Sequence, residues 1–151
     1  HKRQEFAENG MILKEGAIHD TSDKLKEQFD IRCTGVEEPA ASLSGGNQQK
    51  IVIARAVYRD PHLILAVQPT RGLDVGAIEY IHQVLVNERN KGKAVLLFSL
   101  ELDEILALSD RIAVIYKGQI AGIVDAKTTT KEELGLMMLG QKTATEEVNV
   151  G

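Results

Sequence analysis

The chain has 151 residues, 43% of them hydrophobic and 26% charged, with a formal net charge of -4. That length suits one domain able to bury a core, and the mild acidity argues against a nucleic-acid or acidic-membrane binder. No apolar run approaches the ~18 residues a bilayer span needs, and the lone Cys33 excludes an internal disulfide.

In chain order, residues 1–12 have no clear period, and Glu8-Asn9-Gly10 reads as a turn. Ile18, Thr21, Leu25 and Phe29 recur at helical spacing, predicting a helix from about Lys14 to Asp30. A connector with Pro39 follows. Then Leu43-Ser44-Gly45-Gly46-Asn47-Gln48-Gln49-Lys50 opens a helix that should stop at Asp60-Pro61, with Ser44 as its cap. Leu63–Val67 and Ala94–Phe98 are short apolar runs that predict strands buried on both faces. Between them lie a loop and a helix to about Lys91, capped by Asp74. A short helix over Leu102–Leu108 precedes two strands, Arg111–Tyr116 and Gln119–Val124, joined at Lys117-Gly118 in a hairpin. Thr130 and Glu133 form a capping-box pattern for a last helix through Met138. Single strands alternating with helices predict an α/β parallel sheet, with a small helical part at the N-terminus.

The octapeptide Leu43–Lys50 is the most informative stretch. A hydroxyl and two residues without Cβ at a helix start let backbone N–H groups and the helix dipole face an anion. It resembles the signature motif of ABC-transporter ATP-binding domains, in the Asn-Gln-Gln-Lys form of simple-sugar and nucleoside importers. Other runs resemble the same family in the same order. Leu63-Ile64-Leu65-Ala66 followed by Val67-Gln68-Pro69-Thr70 is similar to a Walker B strand, and Arg71-Gly72-Leu73-Asp74 to the D-loop. Ser99-Leu100-Glu101-Leu102-Asp103-Glu104 is similar to the switch segment, and Ser109–Val114 with Gly118 to the closing strand and hairpin.

This resemblance implies a partial P-loop NTPase (RecA-like) core over residues 44–139, a helical subdomain remnant over 1–43 and a loose tail over 140–151. No Gly-x-x-x-x-Gly-Lys-Ser/Thr occurs, so the chain reads as a C-terminal piece of the importers' second ATP-binding domain. Departures from the family pattern fall at three polar positions. Val67 replaces the magnesium-holding aspartate and has no oxygen for a hard cation. Gln68 replaces the glutamate and cannot take a proton as a carboxylate does. Leu100 replaces the switch histidine.

The resemblance therefore implies that ATP and Mg serve mainly at a partner domain's site. Ser44, Gly45, Gly46 and Gln48 would complete that site in trans, with Asp74 in the D-loop, and this piece alone would not hydrolyse ATP. The implied partners are a first ATP-binding domain on the same parent polypeptide and membrane permease subunits at the cytoplasmic face. A stand-alone, non-catalytic scaffold with this fold is the rival reading, and the intact signature favours the importer. Without the P-loop strand, Ala94–Phe98 and Arg111–Tyr116 each lack a neighbour in the family's sheet. Either they pair directly or a second copy of the chain fills the gap by self-association. His1, His19, His62 and His82 have no ligand spacing, so no metal site is expected from them.

Overall fold

The stripe of Ile18, Thr21 and Leu25 does form a helix, α1, over Glu15–Gln28. In this computed structural model residues 6–8 and 12–141 are described. Before α1, β1 (Ala7–Glu8) and β2 (Ile12–Leu13) pair antiparallel in the register Ala7↔Leu13, Glu8↔Ile12. The Asn9-Gly10 part of the expected turn lies outside the described residues, as do residues 142–151 of the expected tail. No residue within α1 is fully buried. Its apolar face opens on a cavity of about 470 Å³, shared with Val36 and Leu43 of the connector and Ile51 and Tyr58 of the next helix. The buried anchor is Phe29, just past the helix end, with Ile31 beside it.

Two compact units divide the chain, His1–Leu96 and Leu97–Gly151, the division falling inside a strand. In the first unit, helix α2 (Gly45–Tyr58) leads to β3 (Leu63–Val67), α3 (Val75–Asn90) and β4 (Ala94–Phe98). β3 and β4 form a parallel pair, the βαβ arrangement that the alternating pattern predicts. The stop before β3 is set by Asp60, at a φ of 50°, and Pro61.

Neither β3 nor β4 is buried on both faces; Leu96 and Phe98 of β4 are 49% and 42% exposed. Ile64 and Ala66 are buried, whereas Leu63, Leu65 and Val67 are 56%, 61% and 62% exposed. Successive side chains of a strand point to opposite faces, and the described residues cover only one face of β3.

An ion network ties the end of α3 to the start of the strands. Glu88, 2% exposed, accepts from Lys91 at 2.6 Å and from Lys93 at 2.5 Å, and Lys93 also meets Asp60 at 2.7 Å. Burial pushes the Glu88 carboxyl up. The hydrogen bonds and charges of the two lysines together outweigh it and hold the carboxyl below its usual range. The Lys93 ammonium is raised by its bonds to Asp60 and Glu88. A depressed carboxyl stabilises the fold above its unfolded pKa, about 4.3, and that contribution disappears as pH falls through the folded value. A raised lysine stabilises below its unfolded pKa, about 10.4, and the gain is lost as pH rises through the folded value. Thermal melts should therefore show Glu88→Gln less stable than the parent at neutral pH, with the gap closing below about pH 4. A gap that stays constant into the acid range contradicts the network's role.

The second unit holds α4 (Leu102–Leu108), β5 (Arg111–Tyr116), β6 (Gln119–Asp125) and α5 (Lys131–Met138). β5 and β6 pair antiparallel from Arg111↔Asp125 to Tyr116↔Gln119, with an irregularity after Val114. Lys117 and Gly118 both have positive φ, 47° and 78°, as a two-residue hairpin turn of the primed type requires. Thr130 and Glu133 make the expected capping box. Ile112, Val114, Leu134 and Met137 form the core between hairpin and helix. Among the described residues β5 pairs with β6 and β4 with β3.

Candidate functional site

Ser44 ends an extended segment at φ -60° and ψ 154°, the geometry of a helix N-cap, and its side chain is exposed. The Ser44 hydroxyl oxygen accepts from the Asn47 N–H at 3.4 Å and from the Asn47 side-chain Nδ2 at 3.1 Å. At any helix start the first N–H groups have no acceptor inside the helix, here those of Gly45 and Gly46. Together with the positive end of the dipole they favour an anion.

The two glycines differ in what surrounds them. A Cβ on Gly46 would lie 3.1 Å from Ala77 Cβ and 3.6 Å from Asp74 Oδ2. Gly46 is therefore the point where α2 closes on the start of α3. Gly45 is exposed, and its nearest such neighbour is Leu73 Cδ2 at 3.9 Å. Gln48 is exposed, and its amide already donates to the Leu43 carbonyl at 2.8 Å.

Asp74 caps α3 by accepting from the Ala77 N–H at 2.9 Å, so the structure brings Ser44, Gly45 and Gly46 beside Asp74 on adjoining helix starts. Val67 and Gln68 precede this loop in the same unit, and Leu100, 74% exposed, lies in the second unit. Gln68 sits at a φ of 49°, a left-handed conformation that a residue with a Cβ holds at about 1–3 kcal/mol. The Val67 side chain has no oxygen for a hard cation, and Gln68 offers a neutral amide oxygen and no charge. Among the described residues no group of three or more His, Cys, Asp or Glu is placed to hold a metal.

Lys50, at the end of the signature octapeptide, is a buried charge that the charge pattern hides. It is 9% exposed, and its ammonium donates to the Asp30 carbonyl at 2.7 Å and to the Asp30 carboxylate at 2.9 Å. The Tyr80 ring lies 4.5 Å away. The Lys50 hydrogen bond, then its charge, hold the Asp30 carboxyl below its ordinary value, and burial pushes the Tyr80 hydroxyl up. A signal was available in the sequence: Lys50 lies three and four residues before Ile53 and Ala54, on the stripe that α2 buries.

No family model matches the chain. It is 60% identical over 129 residues to the nucleoside import ATP-binding protein NupA of Lactococcus lactis subsp. cremoris, an alignment covering 85% of this chain and 26% of that protein. Identity is 50% over 129 residues to the guanosine import ATP-binding protein NupO of Bacillus subtilis, covering 85% and 25%. Its homologues are the ATP-binding proteins of ABC importers. The chain spans about a quarter of the length of these curated relatives. Among solved structures, the dimeric ATP-binding cassette MJ0796 bound to ADP and Pi is 26% identical, with a TM-score of 0.65 over 79% of this chain and 51% of that one. A metal-chelate-type ABC transporter in an inward-facing conformation superposes with a TM-score of 0.73 over 91% and 54% at 16% identity, a likeness of fold alone. The fold is thus that of part of an ABC ATPase cassette, an α/β arrangement with a parallel strand pair.

Proposed function

We propose that this chain is part of the ATP-binding subunit of an ABC importer and works on the ATP of a partner domain. The observation that carries this is the contrast between two sets of positions. Ser44 and Gly45 stand exposed at an intact signature helix start, while the side chains of Val67 and Leu100 offer no polar atom and Gln68 offers a neutral amide in place of a carboxylate. In this reading the Ser44 hydroxyl and the Gly45 and Gly46 N–H groups meet the terminal phosphate of ATP held across the interface. Asp74 fixes the start of α3, against which Gly46 packs. The partner is a first ATP-binding domain on the same parent polypeptide, which holds the Mg. Permease subunits contact the helical residues of the N-terminal part, at the cytoplasmic face of the membrane. No helix among the described residues is long and apolar enough to cross a membrane, so membrane contact through partners suits this chain.

For the transported solute, nucleosides are favoured over sugars. The nucleoside and guanosine import relatives are 60% and 50% identical, whereas a glucose import relative from Haloferax volcanii is 42% identical.

The test of the degenerate half is direct. Titrated with ATP·Mg in a calorimeter, the chain on its own should give no measurable binding heat. Saturable binding at micromolar Kd, worth about 8 kcal/mol, would overturn the proposal that its own site is degenerate.

A further inference from the structure

We infer that Asn47 is a positioning residue that sets the direction of the Ser44 O–H, and that the backbone of Arg32 dictates how Asn47 does so. This rests on the trans-site reading above and extends it to the residues hydrogen-bonded behind the signature serine. A serine hydroxyl has one proton to donate and two lone pairs to accept with. Both contacts it makes with Asn47 come from donors, the backbone N–H and Nδ2. The proton of Ser44 is therefore turned away from Asn47, and Ser44 is exposed, so the O–H is presented outward at the helix start.

That polarity depends on which end of the Asn47 amide faces Ser44. With Oδ1 there instead, the hydroxyl would donate to it and have no proton left for a phosphate. The Arg32 N–H decides the matter. It is a donor only, and it lies 2.9 Å from Asn47 Oδ1, which forces Nδ2 toward Ser44.

Arg32 is in turn held by its neighbours. Ile31 is buried and donates its N–H to the Lys26 carbonyl at 2.9 Å. Asp30, at a φ of 46°, is gripped by Lys50 through both its carbonyl and its carboxylate. The end of α1 and the signature serine are thus joined by a relay of hydrogen bonds whose donors and acceptors have one consistent direction.

Asn47→Asp separates this role from a structural one. Aspartate keeps the size of the side chain and still accepts from Arg32. A carboxylate in the first turn of a helix also favours the dipole, so the fold should melt no lower than the parent. Facing Ser44, however, it presents an acceptor, and the hydroxyl must donate to it. In the full-length transporter with its permease, N47D should lower kcat for ATP about as far as S44A does, on the order of 100-fold for a lost phosphate donor. The S44A/N47D pair should be no worse than S44A alone, because both changes remove the same proton.

Other outcomes count against the inference in different ways. N47D at parental kcat beside an impaired S44A overturns it and leaves the trans-site reading standing. Losses that multiply in the double variant mean that the added charge acts on the nucleotide directly, and this overturns it as well. A fully active S44A overturns both readings.

Discussion

In the full-length transporter, Ser44→Arg is expected to remove most ATPase turnover, while Val67→Asp leaves it near the parental level. On the trans-site proposal, arginine places bulk where the exposed cap would meet the partner's phosphate, and it deletes the hydroxyl. Loss of one preorganised donor is itself worth about 100-fold or more in rate. The fold should tolerate the change. Ser44 is exposed, and removing a helix cap costs only about 1 kcal/mol. Ser44→Gly isolates the hydroxyl, since glycine at a cap costs a few tenths of that energy and adds no bulk. Restoring a carboxylate at position 67 supplies one metal ligand but leaves a non-basic amide at Gln68 and an apolar side chain at Leu100. Steady-state ATPase assays on the purified transporter decide the matter. Parental turnover in the arginine variant, together with a strong rise in the aspartate variant, would reverse the roles assigned to the two sites.

How much of this was legible depends on the range of the interaction. β3, β4 and α4 fall where short apolar runs between turn residues place them, and Asp74 and Thr130 cap as expected. In each case the cause lies within a few residues of the effect. Lys50 was missed because its partner Asp30 is 20 residues away and its aromatic neighbour Tyr80 sits on another helix. Local charge rules place a lysine in solvent, and only the stripe of Ile53 and Ala54 argues otherwise. The exposed face of β3 is a different kind of miss. Leu63, Leu65 and Val67 are apolar because the strand is written for cover on both sides, and a sequence pattern does not say whether the cover is present. The β1–β2 pair involves too few residues for alternation to register. Nor does glutamine announce the left-handed backbone of Gln68, which any reader of propensities would assign to glycine or asparagine.

Truncating the centre of α3, by Ile81→Ala, should cost about 2–5 kcal/mol. Ile81 is 0% exposed. It belongs to the stripe Ala77, Ile81, Leu85 and Glu88, repeating every three or four residues along α3. Surface exposure there is already nil, so the lost methylenes leave a void that neighbours fill only in part. Set against a domain stability of about 5–15 kcal/mol, this is a large fraction. The melting temperature should fall by about 5–15 °C in a chain of this size. Ile81→Val keeps the branched shape and should cost about 0.5–1.5 kcal/mol, which separates a volume effect from a general disturbance of the helix. The consequence reaches the signature. The first turn of α3 carries Asp74 and Ala77, and Gly46 closes against both, so a loosened α3 is a loosened floor under Ser44. Thermal melts of the parent, valine and alanine forms check the order. An alanine variant that melts within about a degree of the parent would remove Ile81 from the core and α3 from its place as that floor.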